Sequence, residues 1–337
     1  METTCLIQEP RKKQKLNEED QDIDGNSKCL VDLPEEVLQH ILSFLPTKDA
    51  VRTSVLSKSW EYRWTSIPNL DFHWELPSPA KRRLLMNFVE RVLCLRDSCV
   101  MKRFTLYCDV LRDASRVNTW ISVAVRHNVQ ELYIELDNFQ SEFSLPYCLF
   151  TCKTLTSLHL YIPYILKLPT TICFSNLKTL TIVSVTFSDE YLTGQFFSGM
   201  PVLENLCLYN CSWGGLKVVR FSAPKLHSLS IKEFEMQDSS YGDGCQVMIF
   251  AVSLIEFDYT GELFSDYCLY KSFSLEKAKI YTFPDNTSAQ NSRRMYRLLI
   301  GLSNVKELRL SSEVVEMLDE HSRRRGNVMT QKESEII

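Results

Sequence analysis

From Met101 to Leu310 the apolar residues of this chain recur in one short pattern, aliphatic-x-x-apolar-x-apolar, nine times over. The central residue falls at Phe104, Leu132, Leu158, Leu180, Leu206, Leu229, Phe257, Ala278 and Leu308, at intervals of 28, 26, 22, 26, 23, 28, 21 and 30 residues. Three positions earlier stand Met101, Val129, Leu155, Leu177, Leu203, Leu226, Leu254, Leu275 and Val305. Two positions later stand Leu106, Ile134, Leu160, Ile182, Leu208, Ile231, Tyr259, Ile280 and Leu310. The residue just before each centre is polar, from Arg103 and Glu131 through to Glu307. Two apolar side chains flanking one polar side chain are what a strand with a single buried face requires. Repetition at about 20 to 30 residues predicts a solenoid whose strands stack into a parallel sheet lining a horseshoe, each unit burying its apolar face against its neighbours.

Helical spacing replaces the strand pattern elsewhere. Leu84, Leu85, Phe88, Val89, Val92 and Leu93 predict an amphipathic helix, and Val117, Trp120, Ile121 and Val125 predict another on the outer side of the horseshoe. Near the N-terminus, Val37, Leu38, Ile41, Leu42 and Leu45 form one apolar stripe between Pro34 and Pro46. Pro34 suits the start of that helix, and Glu35 and Glu36 complement the positive end of its dipole. Thr47 can cap a second short helix with Ala50, Val51 and Val55, and Ser57 a third carrying Trp60 and Trp64 one turn apart. Three helices this short bury too little on one another to stand alone. A partner groove or the rest of a larger core must cover the stripe.

The string from Leu33 to Trp64 resembles an F-box: Leu33-Pro34 followed by acids, the helix end Ile41-Leu42-Ser43-Phe44-Leu45-Pro46, then Val55-Leu56-Ser57-Lys58 leading to Trp60 and Trp64. In detail it is similar to the plant F-box proteins with leucine-rich repeats, with Ser59 where that pattern usually has arginine. The resemblance implies docking to a Skp-family adaptor and through it to a cullin-based ubiquitin ligase. Carried over by position, the apolar contacts would come from Leu33, Pro34, Leu38, Ile41, Leu42, Leu45, Val51, Val55, Leu56, Trp60 and Trp64. The reading is therefore an α/β chain: a tail at residues 1–28, an F-box at 29–75, a linker with an amphipathic helix at 76–100, irregular leucine-rich repeats at 101–312 and a polar tail at 313–337. Family members often continue into a further C-terminal domain after the last repeat. The polar run after Leu310 predicts that this domain is missing and that the solenoid end frays. The repeats also depart from the full leucine-rich pattern, which has Asn or Cys three residues after the last strand leucine; Cys211 alone meets it.

Composition narrows the setting. With 45% hydrophobic and 24% charged residues the chain has the make-up of a globular protein, and a formal net charge of -4 argues against broad nucleic-acid binding. No apolar run approaches the roughly 18 residues of a membrane span, and the N-terminus lacks the apolar core of a signal peptide. Cytoplasm or nucleus is the expected location. Residues 1–28 set Arg11, Lys12, Lys13 and Lys15 ahead of Glu18, Glu19, Asp20, Asp22 and Asp24, which predicts a disordered tail. The twelve cysteines are scattered without a C-x-x-C, and the pairs Cys148/Cys152 and Cys207/Cys211 have no histidine at zinc-site spacing. Reduced, mostly buried thiols and no metal or cofactor are expected.

The inner face of the horseshoe offers the second candidate surface. One column reads Tyr107, Glu135, Tyr161, Val183, Tyr209, Lys232, Thr260, Tyr281 and Ser311; the next reads Thr105, Tyr133, His159, Thr181, Cys207, Ser230, Asp258, Lys279 and Arg309. Tyrosine suits strands, and it also suits recognition because it buries area at low entropic cost. Tyr133, His159, Tyr161 and Tyr209 form the candidate substrate-binding strip. No Gly-x-Ser-x-Gly, P-loop, Gly-x-Gly-x-x-Gly or His-Glu-x-x-His string occurs, and the six histidines are dispersed. The sequence reading is a non-catalytic substrate receptor of a ubiquitin ligase, binding a protein substrate and neither nucleic acid nor membrane. Its alternatives are a repeat scaffold or small-molecule sensor, and a hydrolase with a spatially assembled site.

Overall fold

The computed structural model describes residues 33–73, 78–97, 99–140, 143–234, 244–270, 272–283 and 288–319. The tail expected at residues 1–28 lies outside them. The N-terminal module consists of α1 (Glu35–Ser43) and α2 (Thr47–Arg52), followed by 3-10 turns at Thr53–Val55, Lys58–Trp60 and Arg63–Ser66. The third helix expected after Ser57 is thus a pair of 3-10 turns. Ser57 is fully extended (φ -166°, ψ 169°) and its hydroxyl bonds Ser59 at 2.7 Å instead of capping. Thr47 does not cap α2 either; its buried hydroxyl accepts from the Asp71 amide at 2.7 Å, tying the module to the strand that follows.

That strand, β1 (Asn69–Phe72), is the first of a ten-stranded parallel sheet. Next to it, in order, come β2 (Arg103–Leu111), β3 (Glu131–Phe139), β4 (Ser157–Tyr161), β5 (Thr179–Val183) and β6 (Asn205–Tyr209). After these come β8 (Ser228–Glu233), β10 (Glu256–Gly261), β12 (Lys277–Tyr281) and β13 (Glu307–Leu310). All nine centres read from the pattern stand in one row: Phe104 pairs with Leu132, Leu132 with Leu158, and so on to Ala278 with Leu308. Leu70 opposes Phe104 and extends that row. The segment Ile67-Pro68-Asn69-Leu70-Asp71-Phe72 is therefore a tenth copy of the pattern, which the sequence reading left inside the F-box.

The convex layer is mixed. It carries α3 (Pro79–Leu95), α4 (Ala114–Arg126), the single turn α5 (Tyr147–Phe150), α6 (Glu190–Ser198) and α7 (Ala289–Gly301). Between α6 and α7 the outer elements are strands: β7 (Val218–Ser222), β9 (Gln246–Phe250) and β11 (Asp266–Tyr270) make a second parallel sheet in the order β7, β9, β11. Helix α3, expected as an amphipathic helix between the F-box and the repeats, packs with Leu85, Met86, Val89, Val92 and Leu93 buried. Leu84 of its expected stripe is exposed. Beyond Leu310, residues 312–319 are helical, with Val314 and Met317 buried in the core. The polar tail assigned from residue 313 is therefore corrected at its start: two apolar residues three apart share one helix face and close over the last repeat.

One core runs the length of these residues, from Leu38 and Leu42 through the strand rows to Met317. The turn after β6 shows how units are latched. Asn210 sits in left-handed backbone (φ 51°) and its side-chain oxygen accepts from the Phe234 amide at 2.8 Å. Cys211, the residue matching the repeat pattern, is buried with its thiol 3.5 Å from the Ile182 carbonyl. Where the two sheets approach, Glu233 is buried and accepts from the hydroxyls of Tyr259 (2.7 Å) and Tyr267 (2.8 Å) and from the Phe264 amide (3.1 Å). Trp213 Nε1 donates to the Tyr267 hydroxyl at 3.2 Å. Only glycine fits at 261, where a Cβ would stand 2.3 Å from the Glu233 carbonyl oxygen.

Candidate functional site

The N-terminal module divides its apolar residues between inside and outside. Leu38, Leu42, Trp60 and Trp64 fill its interior, and Ala50 is buried beside them. Trp64 Nε1 donates to the Glu61 carbonyl at 3.1 Å, and Arg63, 5.6 Å from the Trp60 ring, pairs with Glu35 at 2.6 Å. These contacts divide the set carried over from sequence. Leu38 and Leu42 face inward from α1, and Trp60 and Trp64 from the 3-10 turns, so these four hold the module together and are buried within it. Of the others, Leu33 and Val51 are half-buried, while Pro34, Ile41, Leu45, Val55 and Leu56 are exposed. The exposed set also includes residues missing from it: Val37, Phe44 and Tyr62. Phe44 is 74% exposed, Val55 86% and Leu56 64%, unusual values for side chains whose burial would each be worth about 1.5–3 kcal/mol. Val37, Ile41 and Phe44 lie at i, i+4 and i+7 on α1 and its end, the outer neighbours of the inward line.

The concave face carries the second surface. Register places Thr105, Tyr133, His159 and Thr181 side by side, and Tyr107, Glu135, Tyr161, Val183 and Tyr209 in the adjacent column. Tyr133 and His159 stack with ring centroids 3.9 Å apart and planes 9° apart. The Tyr133 hydroxyl donates to Glu135 Oε1. Burial first, then that bond, pushes its pKa up to about 12. His159 Nε2 stands 3.6 Å from the same Glu135 oxygen, beyond hydrogen-bond reach, and is buried with no partner among the described residues. Burial lowers the His159 pKa against the opposing pull of Glu135, so the imidazole is neutral at pH 7. Tyr161 and Tyr209 are also shifted upward by burial.

Tyr133, His159 and Tyr161 thus meet around Glu135, whereas Tyr209 lies two strands from Tyr161 with Lys232 Nζ 4.8 Å from its ring. A cavity of about 530 Å³ opens beside the stacked pair, lined by Asp71, His73, Arg103, Glu131, Tyr133 and His159 among others. His73 reaches the Tyr107 ring at 5.2 Å. Glu135 stood in a column read from sequence, and Arg103 and Glu131 among the polar residues before the strand centres, but none was singled out; Asp71 and His73 follow from β1, which was missed. Among the described residues no group of His, Cys, Asp or Glu could hold a metal ion, and no helix is long and apolar enough to cross a membrane.

Comparison with known proteins follows the same division. The F-box domain family matches residues 30–72, and the family of leucine-rich repeats typified by the FBD-associated F-box protein At5g56370 matches residues 117–245. Relatives in Arabidopsis thaliana include the F-box/FBD/LRR-repeat protein At5g56420, 32% identical over 217 residues, which are 64% of this chain and 51% of the relative. The F-box/LRR-repeat protein At4g14103 is 35% identical over 216 residues, 62% of this chain and 56% of the relative. This is a plant F-box/leucine-rich-repeat protein. The F-box match ends at residue 72, the last residue of β1, so the F-box of this chain already contains the first strand of its solenoid. The F-box/leucine-rich-repeat chain spans about half the length of these two relatives.

Proposed function

We propose that this chain is the substrate-recognition subunit of a Skp-cullin-F-box ubiquitin ligase, its F-box docking a Skp-family adaptor and its concave face holding a protein to be ubiquitinated. The observation that carries this reading is the exposed apolar surface on a module whose interior is already filled: Val37, Ile41, Phe44, Val55 and Leu56 have nothing of this chain's described residues left to cover them fully. The two F-box/leucine-rich-repeat relatives support it by kind. The role is that of an adaptor and not of an enzyme. Holding a substrate lysine near the transfer machinery turns a bimolecular encounter into an effectively intramolecular one, at millimolar effective concentration or above. Action in the cytoplasm or nucleus belongs to the same proposal.

Co-purification with a Skp-family adaptor tests it, comparing wild type with Phe44→Ala combined with Val55→Ala and Leu56→Ala. All three side chains are exposed, so circular dichroism and thermal midpoint should be unchanged while capture falls tenfold or more. A folded wild type that captures no adaptor, or a triple variant that captures it as well as wild type, overturns the reading.

A further inference from the structure

We infer that the N-terminal third of the concave face is a seat for an extended basic segment, with lysine or arginine side chains entering the cavity beside Tyr133 and His159 and the neighbouring notch over Glu135. The inference rests on the reading of the concave face as the substrate side and names the chemistry that side selects. Charge is the first argument. The concave positions of β1 to β4 carry five carboxylates, on Asp71, Asp109, Glu131, Glu135 and Asp137, against the one guanidinium of Arg103. That guanidinium is already committed to Glu131, with Nε at 2.7 Å and Nη2 at 2.6 Å. The other end of the same face is balanced by comparison. Glu256 meets Lys277 at 3.6 Å, Asp258 meets Lys279 at 3.9 Å and Glu307 meets Arg309 at 2.6 Å.

Shape is the second argument. Adjacent strands are about 4.8 Å apart, so Tyr107 and Tyr161 stand roughly 10 Å apart with Glu135 between them in register. An ammonium or guanidinium group in that notch has a carboxylate beneath it and an aromatic ring on each side. The Tyr133 hydroxyl fixes Glu135 through Oε1, and the carboxylate keeps a second oxygen for a further donor. The adjoining cavity of about 530 Å³ has room for a long side chain and sets Asp71 and Glu131 around the stacked Tyr133–His159 pair. The His159 imidazole is held neutral by burial and adds no opposing charge at pH 7. An acidic segment would meet only repulsion here, and an apolar one would strip water from carboxylates without replacing it.

Fluorescence anisotropy with the full chain and three labelled decapeptides, alternating Ser with Lys, Gln or Glu, tests the inference. The Lys peptide should bind at least tenfold tighter than the Gln peptide, and the Glu peptide should not bind measurably. Glu135→Gln and Asp137→Asn should each weaken the Lys peptide threefold or more, while the charge-matched control Glu276→Gln, at the far end of the sheet, should leave it unchanged. Equal binding of the three peptides overturns the inference, as does a Lys-peptide affinity that the two concave variants leave intact or that Glu276→Gln lowers equally. The readout involves no adaptor. Lost peptide selectivity with adaptor capture intact would sink the basic seat alone, and lost adaptor capture with selectivity intact would sink the ligase reading alone.

Discussion

Glu233 shows how much a single side chain can organise at the meeting of two sheets. Its carboxylate ties inner strand β8 to the β10 tyrosine Tyr259, to the Phe264 amide and to Tyr267 on outer strand β11. Burial raises its pKa, with the three hydrogen bonds and Arg294 pulling the other way. A carboxyl raised in the folded state binds its proton more tightly there than in the unfolded chain. Its contribution to stability is therefore complete below the ordinary carboxylate value and is lost as pH rises through the folded value. Glu233→Gln removes that dependence. In urea titrations the wild type's advantage over this variant should be largest near pH 4 and shrink toward neutrality; an advantage that grows with pH would refute it. Glu233→Ala strands three donors and should cost about 3 kcal/mol or more at any pH. None of this was legible in the sequence, where Glu233 follows a strand centre at a loop boundary. The Tyr133, His159 and Glu135 grouping was half legible, because columns follow from register but stacking needs side-chain geometry.

At the scale of elements, the β1 strand has the largest consequence. Phe72 is buried, 5.6 Å from the Phe104 ring of β2 and 6.0 Å from the Phe88 ring of α3. Phe72→Ala should cost about 3–5 kcal/mol and loosen α3 as well as the sheet edge, read as faster hydrogen exchange in both. Exchange confined to residues 69–72 would contradict that packing. Nine strands were legible because two apolar positions at fixed offsets repeat with polar residues between them. β1 escaped because 34 residues separate Leu70 from Phe104, longer than the other intervals, and because its sequence completes the F-box. β7, β9 and β11 escaped for another reason: each is a five-residue run outside the repeat template, and in β11 four consecutive residues are buried, so it shows no alternation at all. The amphipathic period also gives a stripe without saying whether it faces inward or outward. Leu38, Leu42, Trp60 and Trp64 were carried over as partner contacts by resemblance, which matches positions without saying which way a side chain faces; here they form the module's own interior.

For the whole molecule, the decisive fact is that the F-box and the repeats share one core. The buried Arg96 bridges them, donating to the Ile67 carbonyl at 2.6 Å and the Val100 carbonyl at 3.3 Å, and Ser66 donates to Asp97. Leu42→Ala, deep in the F-box, should therefore cost about 2–5 kcal/mol and lower exchange protection in β2 as well. Protection in β2 that stays at its wild-type level would mean the two parts unfold independently. A ligase reading gains from such coupling, since a receptor that holds its substrate rigidly relative to the adaptor fixes where transfer can reach. The mixed outer layer has one more effect. Helices are about 10 Å wide and strands about 4.8 Å apart, so a helical back opposite a sheet front forces the stack to bend, whereas strands front and back do not. On that geometry the stretch backed by β7, β9 and β11 should curve less than the stretch backed by α3 and α4. On that expectation a bound segment meets a more curved wall at the acidic end and a flatter floor past β6.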